Sequence, residues 1–262
     1  MTKNDSDYIF EKNFKRHLIC RSKYYTPGMQ AFLKNPDLLL EGSDVHYFKN
    51  APGEASTVGL LTVDGYKVVV KRYNVKNIWH GLKLWFRKSR AMISWLNAHR
   101  LAAINIPTIE PIAVIEKRYG PLRNKAYFIY CYIDGDPCCN YFEKYQTLTP
   151  RYRQALESVA ESMKKLKTAR IHHRDCHHNN MVMLGDKVLL LDLDHMKQYR
   201  FLKWRFKKAH QKDIRQFIHY LGDNQQAKEY FQELIGEEGC EDGSKLRSRH
   251  SERSEESPSC LG

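Results

Sequence analysis

The segment HHRDCHHNN, residues 172–180, carries the pattern that decides the fold of this chain. Within it, Asp175 and Asn180 lie five positions apart, so a carboxylate and an amide share one polar stretch. A carboxylate can accept the proton of an attacking hydroxyl group, and an amide oxygen is a ligand for a hard cation such as Mg²⁺. We therefore expect a catalytic loop in which both groups point at one phosphate.

The same segment brings four histidines and Cys176 together, and a metal site is the competing interpretation. Structural zinc sites take their ligands from spaced pairs such as CxxC or HxxxH. Most of the residues here are consecutive, and the seven cysteines of the chain show no regular spacing. We therefore favour the catalytic loop, and we expect neither a zinc site nor a disulfide framework.

The segments on both sides of the loop agree with this interpretation. A helix is predicted from Thr149 onwards, and a β-hairpin is predicted over residues 181–184 and 187–191. In phosphoryl transfer by the protein-kinase fold, an HRDxxxxN loop and a later carboxylate supply the base and two magnesium ligands. LDLD takes the place of the DFG motif, and we prefer Asp192 to Asp194 as the ligand because Asp192 directly ends the apolar strand.

The N-terminal half predicts a β-rich lobe that presents a lysine. Lys71 ends the run VVV in the third strand, which is the place of the lysine that contacts nucleotide phosphates. Such a lysine is more often a solvated strand end, but here Asp175, Asn180 and Asp192 follow it in the order that phosphoryl transfer requires. We predict the fold class α+β, a two-lobed protein-kinase-like fold with a small β-rich N-lobe and a mostly helical, reduced C-lobe. Strands are expected over residues 45–48, 58–63, 66–73, 109–115 and 127–133, and a helix over about residues 89–103.

The pattern divides the chain into four parts. The C-lobe closes with helical patterns over residues 211–221 and 224–235. The segment after them is poor in large apolar residues and rich in Ser, Glu and Arg, so it cannot bury enough surface to order itself. The four parts are an N-terminal extension (1–44), the N-lobe (45–133), the C-lobe (134–235) and a disordered tail (236–262).

The charge of the chain is positive and unevenly distributed. Residues 1–235 carry a net charge of +16, whereas the tail carries −3. Two runs contain no acid, with nine Lys/Arg in residues 67–100 and seven in residues 195–212, and aromatic residues interrupt both. Such surfaces attract phosphate, nucleic acid or an anionic membrane. No apolar run approaches the length of a spanning helix, and the N-terminus lacks the apolar core of a secretory signal, so we expect a cytoplasmic protein.

Six stretches of the chain resemble the bacterial lipopolysaccharide kinases of the Kdo/WaaP group, which are kinase-like enzymes that phosphorylate inner-core sugars. The resemblance covers about residues 45–220. The HRDC form and the INIPT segment are more specific to this group than to eukaryotic protein kinases. The stretches are VVVKRYN (68–74), KNIWHGLK (76–83), SWLNAHRLAAINIPT (94–108), YFIYCYIDGD (127–136), HRDCHHNN (173–180) and LLLDLDHMKQYR (189–200).

The resemblance implies ATP and Mg²⁺ as cofactors and an inner-core sugar, Kdo or heptose, as acceptor. It implies peripheral contact with the anionic cytoplasmic face of the inner membrane, for which the basic runs Trp79–Arg100 and 197–212 would be docking surfaces; no nucleic acid is expected. The implied catalytic residues are Asp175, which acts as the base, Arg174 and His173. The implied metal ligands are Asn180 and Asp192. The implied nucleotide contacts are Lys71, Tyr130, Cys131, Tyr132 and Ile133.

Two features depart from the pattern of this group. The helix glutamate that normally pairs with the strand lysine is absent, since no Asp or Glu occurs between Lys71 and Glu110, and Ser94 stands where it would align. The glycine-rich phosphate loop is also missing, with only Gly53 and Gly59 in its place. The orientation of the lysine and the lid over the nucleotide are therefore the parts that the resemblance explains least.

Two other functions compete with a sugar kinase. One is a kinase of the same fold with a small-molecule or protein acceptor, such as an aminoglycoside-type phosphotransferase, but cationic drugs require an acidic pocket and this chain is basic. The chain also lacks an APE-type segment, which argues against a regulated protein kinase. The other is a catalytically weak pseudokinase that binds membranes or nucleic acid, which the missing glutamate favours and the intact Asp175, Asn180 and Asp192 oppose.

Overall fold

In the computed structural model the chain forms two units, and it passes from one unit to the other three times. The first unit contains Met1–Ile133 and Asp192–His195, and the second contains Asp134–Leu191 and Met196–Gly262. The first division follows Ile133, the residue at which the sequence predicts the N-lobe to end. The structure describes residues 2–5, 7–51, 54–74, 88–120, 122–142 and 147–236.

An antiparallel sheet forms the first unit, and eight strands of it lie within the described residues, in the order β1-β2-β3-β7-β8-β6-β5-β4. One face is covered by short helices and the other by a long one. The strands are β1 Thr2–Asp5, β2 Tyr8–Lys12, β3 Arg16–Arg21, β4 His46–Lys49, β5 Ser56–Val63, β6 Tyr66–Tyr73, β7 Pro111–Tyr119 and β8 Leu122–Cys131. The helices are α1 Pro27–Lys34, α2 Pro36–Leu40 and α3 Arg90–Ala103.

The segment predicted as an N-terminal extension contributes to the core of this unit. Strand β3 pairs with β7, with Leu18 opposite Ile115, and both side chains are fully buried. Helix α2 packs on the sheet so closely that a Cβ atom at Gly59 would lie 2.9 Å from Leu40 Cδ1 and 2.8 Å from Val45 Cγ1. The absence of a side chain at Gly59 therefore allows Leu40 and Val45 to pack closely against the sheet.

The hairpin β5–β6 is confirmed, since Val63 pairs with Tyr66 across Asp64 and Gly65. Both turn residues have positive φ, of 48° and 80°, which is the conformation that an Asp-Gly turn between two strands adopts. The charged residues 116–123 predict a turn between two strands, but the connection between β7 and β8 is shorter than this range, because β7 continues to Tyr119 and β8 begins at Leu122. The strand accommodates the buried Glu116 because the side chains of Arg118 and His17 pair with its carboxylate.

Helix α3 confirms the helix predicted over residues 89–103. The Ser89 hydroxyl accepts a hydrogen bond from the backbone N–H of Met92 at 3.0 Å, which caps the N-terminus. The face that packs on the sheet is apolar, and it contains the buried residues Ala91, Trp95, Ala98 and Leu101.

The second unit is mostly helical. Its first long helix begins at Pro150, as predicted, and one apolar face of it is buried, with Leu156, Val159, Met163 and Leu166. The helix predicted to begin at residue 211, here α6, begins eight residues earlier, at Lys203. It is longer because Phe206 and His210 extend the buried face that Ile214 and Phe217 form. The elements are β9 Asp136–Pro137, α4 Cys138–Phe142, α5 Pro150–Thr168, β10 Ile171–His172, β11 Met181–Leu184, β12 Lys187–Leu190, β13 Lys197–Gln198, α6 Lys203–His219 and α7 Gln225–Ile235.

Several predicted features fall on residues that the structure does not describe. These are Gly53, the basic linker 76–83 with Trp79, the residue Trp85, and the tail beyond Gly236. Within the part of the chain that is described, no helix is both long enough and apolar enough to cross a bilayer.

Candidate active site

The lysine of β6 lies between two carboxylates of the first unit. Lys71 Nζ donates a hydrogen bond to Asp192 Oδ1 at 2.6 Å, and it lies 3.2 Å from Asp194 Oδ2. Lys71 and Asp192 are partly accessible, whereas the Asp194 side chain is fully buried. Strand β6 and the LDLD segment therefore bring together the two residues that the sequence assigns to phosphate and to magnesium.

A second cation holds the buried carboxylate. Arg90, the first residue of α3, donates from Nη2 to Asp194 Oδ2 at 3.0 Å. Burial alone would raise the pKa of the Asp194 carboxyl, but the positive charges of Lys71 and Arg90 outweigh it and lower that pKa below its ordinary value. Asp194 is therefore ionised throughout the neutral range.

The backbone of the LDLD segment is attached to helix α3. Asn97 Nδ2 donates to the carbonyl oxygen of Leu193 at 2.9 Å, inside the core of the first unit. Asp192 has φ = 49°, a left-handed conformation that is uncommon for a residue other than glycine. Such conformations persist where the surrounding structure fixes them, and they cluster at functional sites.

The segment predicted to meet adenine lies at the end of β8. The backbone N–H of Cys131 donates to the Glu110 carbonyl at 3.0 Å, and that of Tyr132 donates to the Lys67 carbonyl at 3.0 Å. Both N–H groups are therefore engaged inside the first unit. The residues of the segment are Tyr130, Cys131, Tyr132 and Ile133.

In the second unit, the predicted catalytic loop brings Asp175 and Asn180 together. Asn180 Nδ2 donates to the backbone oxygen and to the Oδ2 of Asp175, both at 3.0 Å, and His177 Nε2 lies 3.3 Å from Asp175 Oδ1. Burial raises the pKa of Asp175, but the bonds from His177 and Asn180 outweigh this effect and lower it. The loop therefore presents an ionised carboxylate that can accept a proton, with the amide nitrogen of Asn180 directed inward.

Sequence reasoning missed Asp213, which anchors this loop from α6. Its carboxylate accepts hydrogen bonds from the backbone N–H groups of His173 and Arg174, at 2.7 and 2.9 Å, and it is almost fully buried. The two bonds hold Arg174 at φ = 75°, directly before Asp175. The sequence feature that could have identified Asp213 is its position as the first acid after the basic run 195–212.

The remaining members of the predicted set differ in accessibility. The Arg174 side chain is exposed, whereas the His173 side chain is fully buried. Cys176 is also buried, and burial raises the pKa of its thiol well above the ordinary value. Among the described residues there is no group of three or more His, Cys, Asp or Glu that could hold a metal ion.

Removing the anchor should unfold the second unit more readily. We expect Asp213→Ala to lower the free energy of unfolding by roughly 2–4 kcal/mol, because two buried N–H groups lose their acceptor. Urea denaturation followed by circular dichroism measures this change. Asp223→Ala, which removes an exposed carboxylate of the same unit, is the control, and equal stabilities of the two variants would contradict the anchoring role.

Comparison with known proteins agrees with this geometry. The family model described as lipopolysaccharide kinase (Kdo/WaaP) family matches residues 51–236. A solved structure titled "WaaP in complex with acyl carrier protein" has a TM-score of 0.59 and 16% sequence identity, and the match covers 83% of this chain and 88% of that chain. At this identity the likeness shows the fold alone, which confirms the predicted protein-kinase-like class. No curated protein sequence matches the chain significantly. The chain therefore belongs to the lipopolysaccharide kinase (Kdo/WaaP) family, and it is a kinase.

Proposed function

We propose that this kinase transfers the γ-phosphoryl group of ATP to a hydroxyl group of an inner-core lipopolysaccharide sugar, Kdo or heptose. The observation that supports it most directly is the pair of bonds from Asn180 to Asp175, because they fix an ionised carboxylate in an HRDxxxxN loop. The Kdo/WaaP family membership supports the choice of acceptor.

Asp175 acts as the base in this proposal. As the sugar oxygen bonds to the γ-phosphorus, the bond from that phosphorus to the bridging oxygen of ATP breaks, ADP leaves, and Asp175 takes the hydroxyl proton. Lys71 contacts the α and β phosphates. The backbone N–H groups of His173 and Arg174 donate to Asp213, and these bonds fix the chain directly before Asp175.

We propose Asn180 and Asp192 as the magnesium ligands, as the sequence predicts. Mg²⁺ takes oxygen ligands and is usually held by only one or two carboxylates together with phosphates and water, so a larger acidic cluster is not required. Asn180 engages its amide nitrogen within the loop, and its oxygen is the atom suited to a cation. When bound, magnesium would neutralise charge on the transferred phosphate.

The hydrogen bonds inside the first unit limit which backbone N–H group can donate a hydrogen bond to adenine. Because the N–H groups of Cys131 and Tyr132 already bond to carbonyl oxygens, we propose the N–H of Ile133 as the group that donates to the base.

A basic cavity in the second unit suits an acceptor that bears phosphate or carboxylate groups. Its volume is about 410 Å³, and it lies between the ends of α5, α6 and α7. Five of the residues that line it carry a positive charge and none of them is acidic, which favours anions and disfavours the cationic acceptor of an aminoglycoside-type enzyme. The cationic residues are Lys164, Lys167, Arg170, Lys203 and Lys207.

The start of α6 is the docking surface that we propose for the membrane. Phe201 and Trp204 are 80% and 58% exposed, and the guanidinium of Arg205 and the ammonium of Lys208 lie 5.1 and 5.8 Å from the Trp204 ring. Exposed aromatic residues among cations are typical of surfaces that bind anionic lipid headgroups. Peripheral attachment at this surface would place the kinase on the cytoplasmic face of the inner membrane.

Neutralising this surface should weaken membrane binding. We expect conversion of Lys203, Arg205, Lys207 and Lys208 to Gln to reduce sedimentation with anionic vesicles, since each such cation contributes on the order of 1 kcal/mol at low salt. The matched control neutralises the same number of basic residues elsewhere in the second unit, namely Arg153, Lys187, Arg215 and Lys228. Equal binding of the two variants at low and high salt would remove the docking role from α6.

The decisive test of the proposed reaction compares lipid A-core oligosaccharide from cells with and without the gene by mass spectrometry. We expect one additional phosphate on Kdo or heptose when the gene is present. An unchanged core together with magnesium-dependent phosphorylation of another small molecule would favour the alternative kinase. An absence of any magnesium-dependent ATP turnover by the purified protein would favour the pseudokinase.

A further inference from the structure

The partner of Lys71 in the first unit is not a glutamate of the helix. In protein kinases a glutamate of the helix pairs with the strand lysine and sets its orientation. Helix α3 has no acid, and the hydroxyl of Ser94, at the aligned position, hydrogen-bonds to the Tyr73 hydroxyl at 3.2 Å. Lys71 must therefore take its second carboxylate from another element.

That carboxylate belongs to Asp194. Its Oδ2 lies 3.2 Å from Lys71 Nζ and 3.0 Å from Arg90 Nη2, so one buried oxygen joins the strand lysine to the first residue of α3. The Arg90 guanidinium and the Lys71 ammonium also lie over the same Tyr73 ring, 5.0 and 5.5 Å from its centroid.

The two carboxylates of LDLD differ in their exposure to solvent and in the cations that hold them. Asp192 is partly exposed and is held through Lys71, whereas the Asp194 side chain is fully buried and is held by Arg90 as well. The Asn97 bond to the Leu193 carbonyl fixes the backbone between them to α3. A carboxylate that ligates magnesium must turn towards the cation, and only Asp192 has solvent access to do so.

We propose that Asp194, held by Arg90, is the residue that positions Lys71 for the nucleotide phosphates. The arrangement reverses the usual charges: the helix supplies the cation, and the segment after the hairpin supplies the carboxylate where DFG has glycine. Lys71 then keeps one fixed partner when Asp192 turns to the metal. This inference rests on the proposed use of ATP.

The test is a double-mutant cycle on Lys71 and Asp194. We expect Asp194→Asn to lower kcat/KM for ATP about 100-fold, because a displaced phosphate contact costs about that factor. It should also weaken the binding of metal-free ATP, measured by calorimetry. In a Lys71→Ala background the same change should alter either quantity less than about threefold, because its effect passes through the lysine.

Two further variants separate positioning from stability. Asp37→Asn is the matched control, because Asp37 is a partly buried carboxylate of the same unit that pairs with Arg72, Lys117 and Lys125; it should lower the melting temperature and leave kcat/KM unchanged. The exchanged pair Arg90→Asp with Asp194→Arg should not recover kcat/KM, since it places a cation beside Lys71. If Asp194→Asn does not fold, Arg90→Gln replaces it with the same expected dependence on Lys71.

Three results would overturn the inference. The first is that Asp194→Asn lowers kcat/KM by the same factor in the presence and in the absence of Lys71. The second is that Asp194→Asn lowers the melting temperature and leaves kcat/KM intact. The third is that the exchanged pair has full activity. Failure of the proposed function is a different result, because the unaltered protein would then show no magnesium-dependent transfer from ATP, whereas the metal-free binding cycle needs no acceptor or turnover.

Discussion

Replacing Asp175 by Asn is expected to lower the rate of phosphoryl transfer by about two to four orders of magnitude, which is the usual contribution of a positioned base. Asn has nearly the same shape and can still accept a hydrogen bond from Asn180, so the loop should keep its conformation. It cannot accept the hydroxyl proton. We therefore expect ATP affinity and the melting temperature to change little.

The measurement is single-turnover transfer of labelled phosphate to core oligosaccharide, with ATP affinity determined separately. Asp186→Asn, which removes an exposed carboxylate in the turn between β11 and β12, is the control. Because the pKa of Asp175 is lowered, its carboxylate should become protonated only at a lower pH than an ordinary aspartate does. Full turnover by Asp175→Asn would remove this residue from the catalytic step.

Replacing Asp192 by Ala is expected to abolish the magnesium-dependent part of ATP binding and to slow transfer by about 1,000-fold or more. The physical reason is that a lost metal ligand removes several kcal/mol of charge stabilisation in the transition state. Lys71 would keep its contact with Asp194, so we expect metal-free ATP binding to survive.

Calorimetry with and without magnesium compares this variant with Asp194→Ala. The second change should be milder in its magnesium dependence, because Asp194 is buried against Lys71 and Arg90. The opposite ranking would show that Asp194, and not Asp192, ligates the metal. It would also contradict the positioning function that we infer for Asp194.

Local patterns in the sequence determined the framework of the fold. Asp64-Gly65 between apolar runs predicts the β5–β6 hairpin because few other dipeptides adopt two consecutive positive φ angles. Ser89 predicts the start of α3 because its hydroxyl can cap a free N–H group. The same holds for the order of Lys71, the HRDxxxxN loop and Asp192, since each function depends on residue type and spacing within a few positions.

Longer-range pairing decided what the sequence did not reveal. Strands β1–β3 are short and lack a clear alternation, and their place in the sheet depends on pairing with β7, about 100 residues later. Glu116 lies inside a strand because the guanidinium of Arg118 pairs with its carboxylate there.

The same distinction between local sequence and long-range packing applies to the candidate site. The sequence by itself determined that Asp175, Asn180, Asp192 and Lys71 are present, because their order and spacing are properties of the chain. Only the tertiary structure decided what holds them, since Arg90 meets Asp194 and Asp213 meets His173 across 104 and 40 residues. No local pattern encodes an ion pair or a buried acceptor between such distant residues, because each partner is chosen by the packing of the elements that carry it.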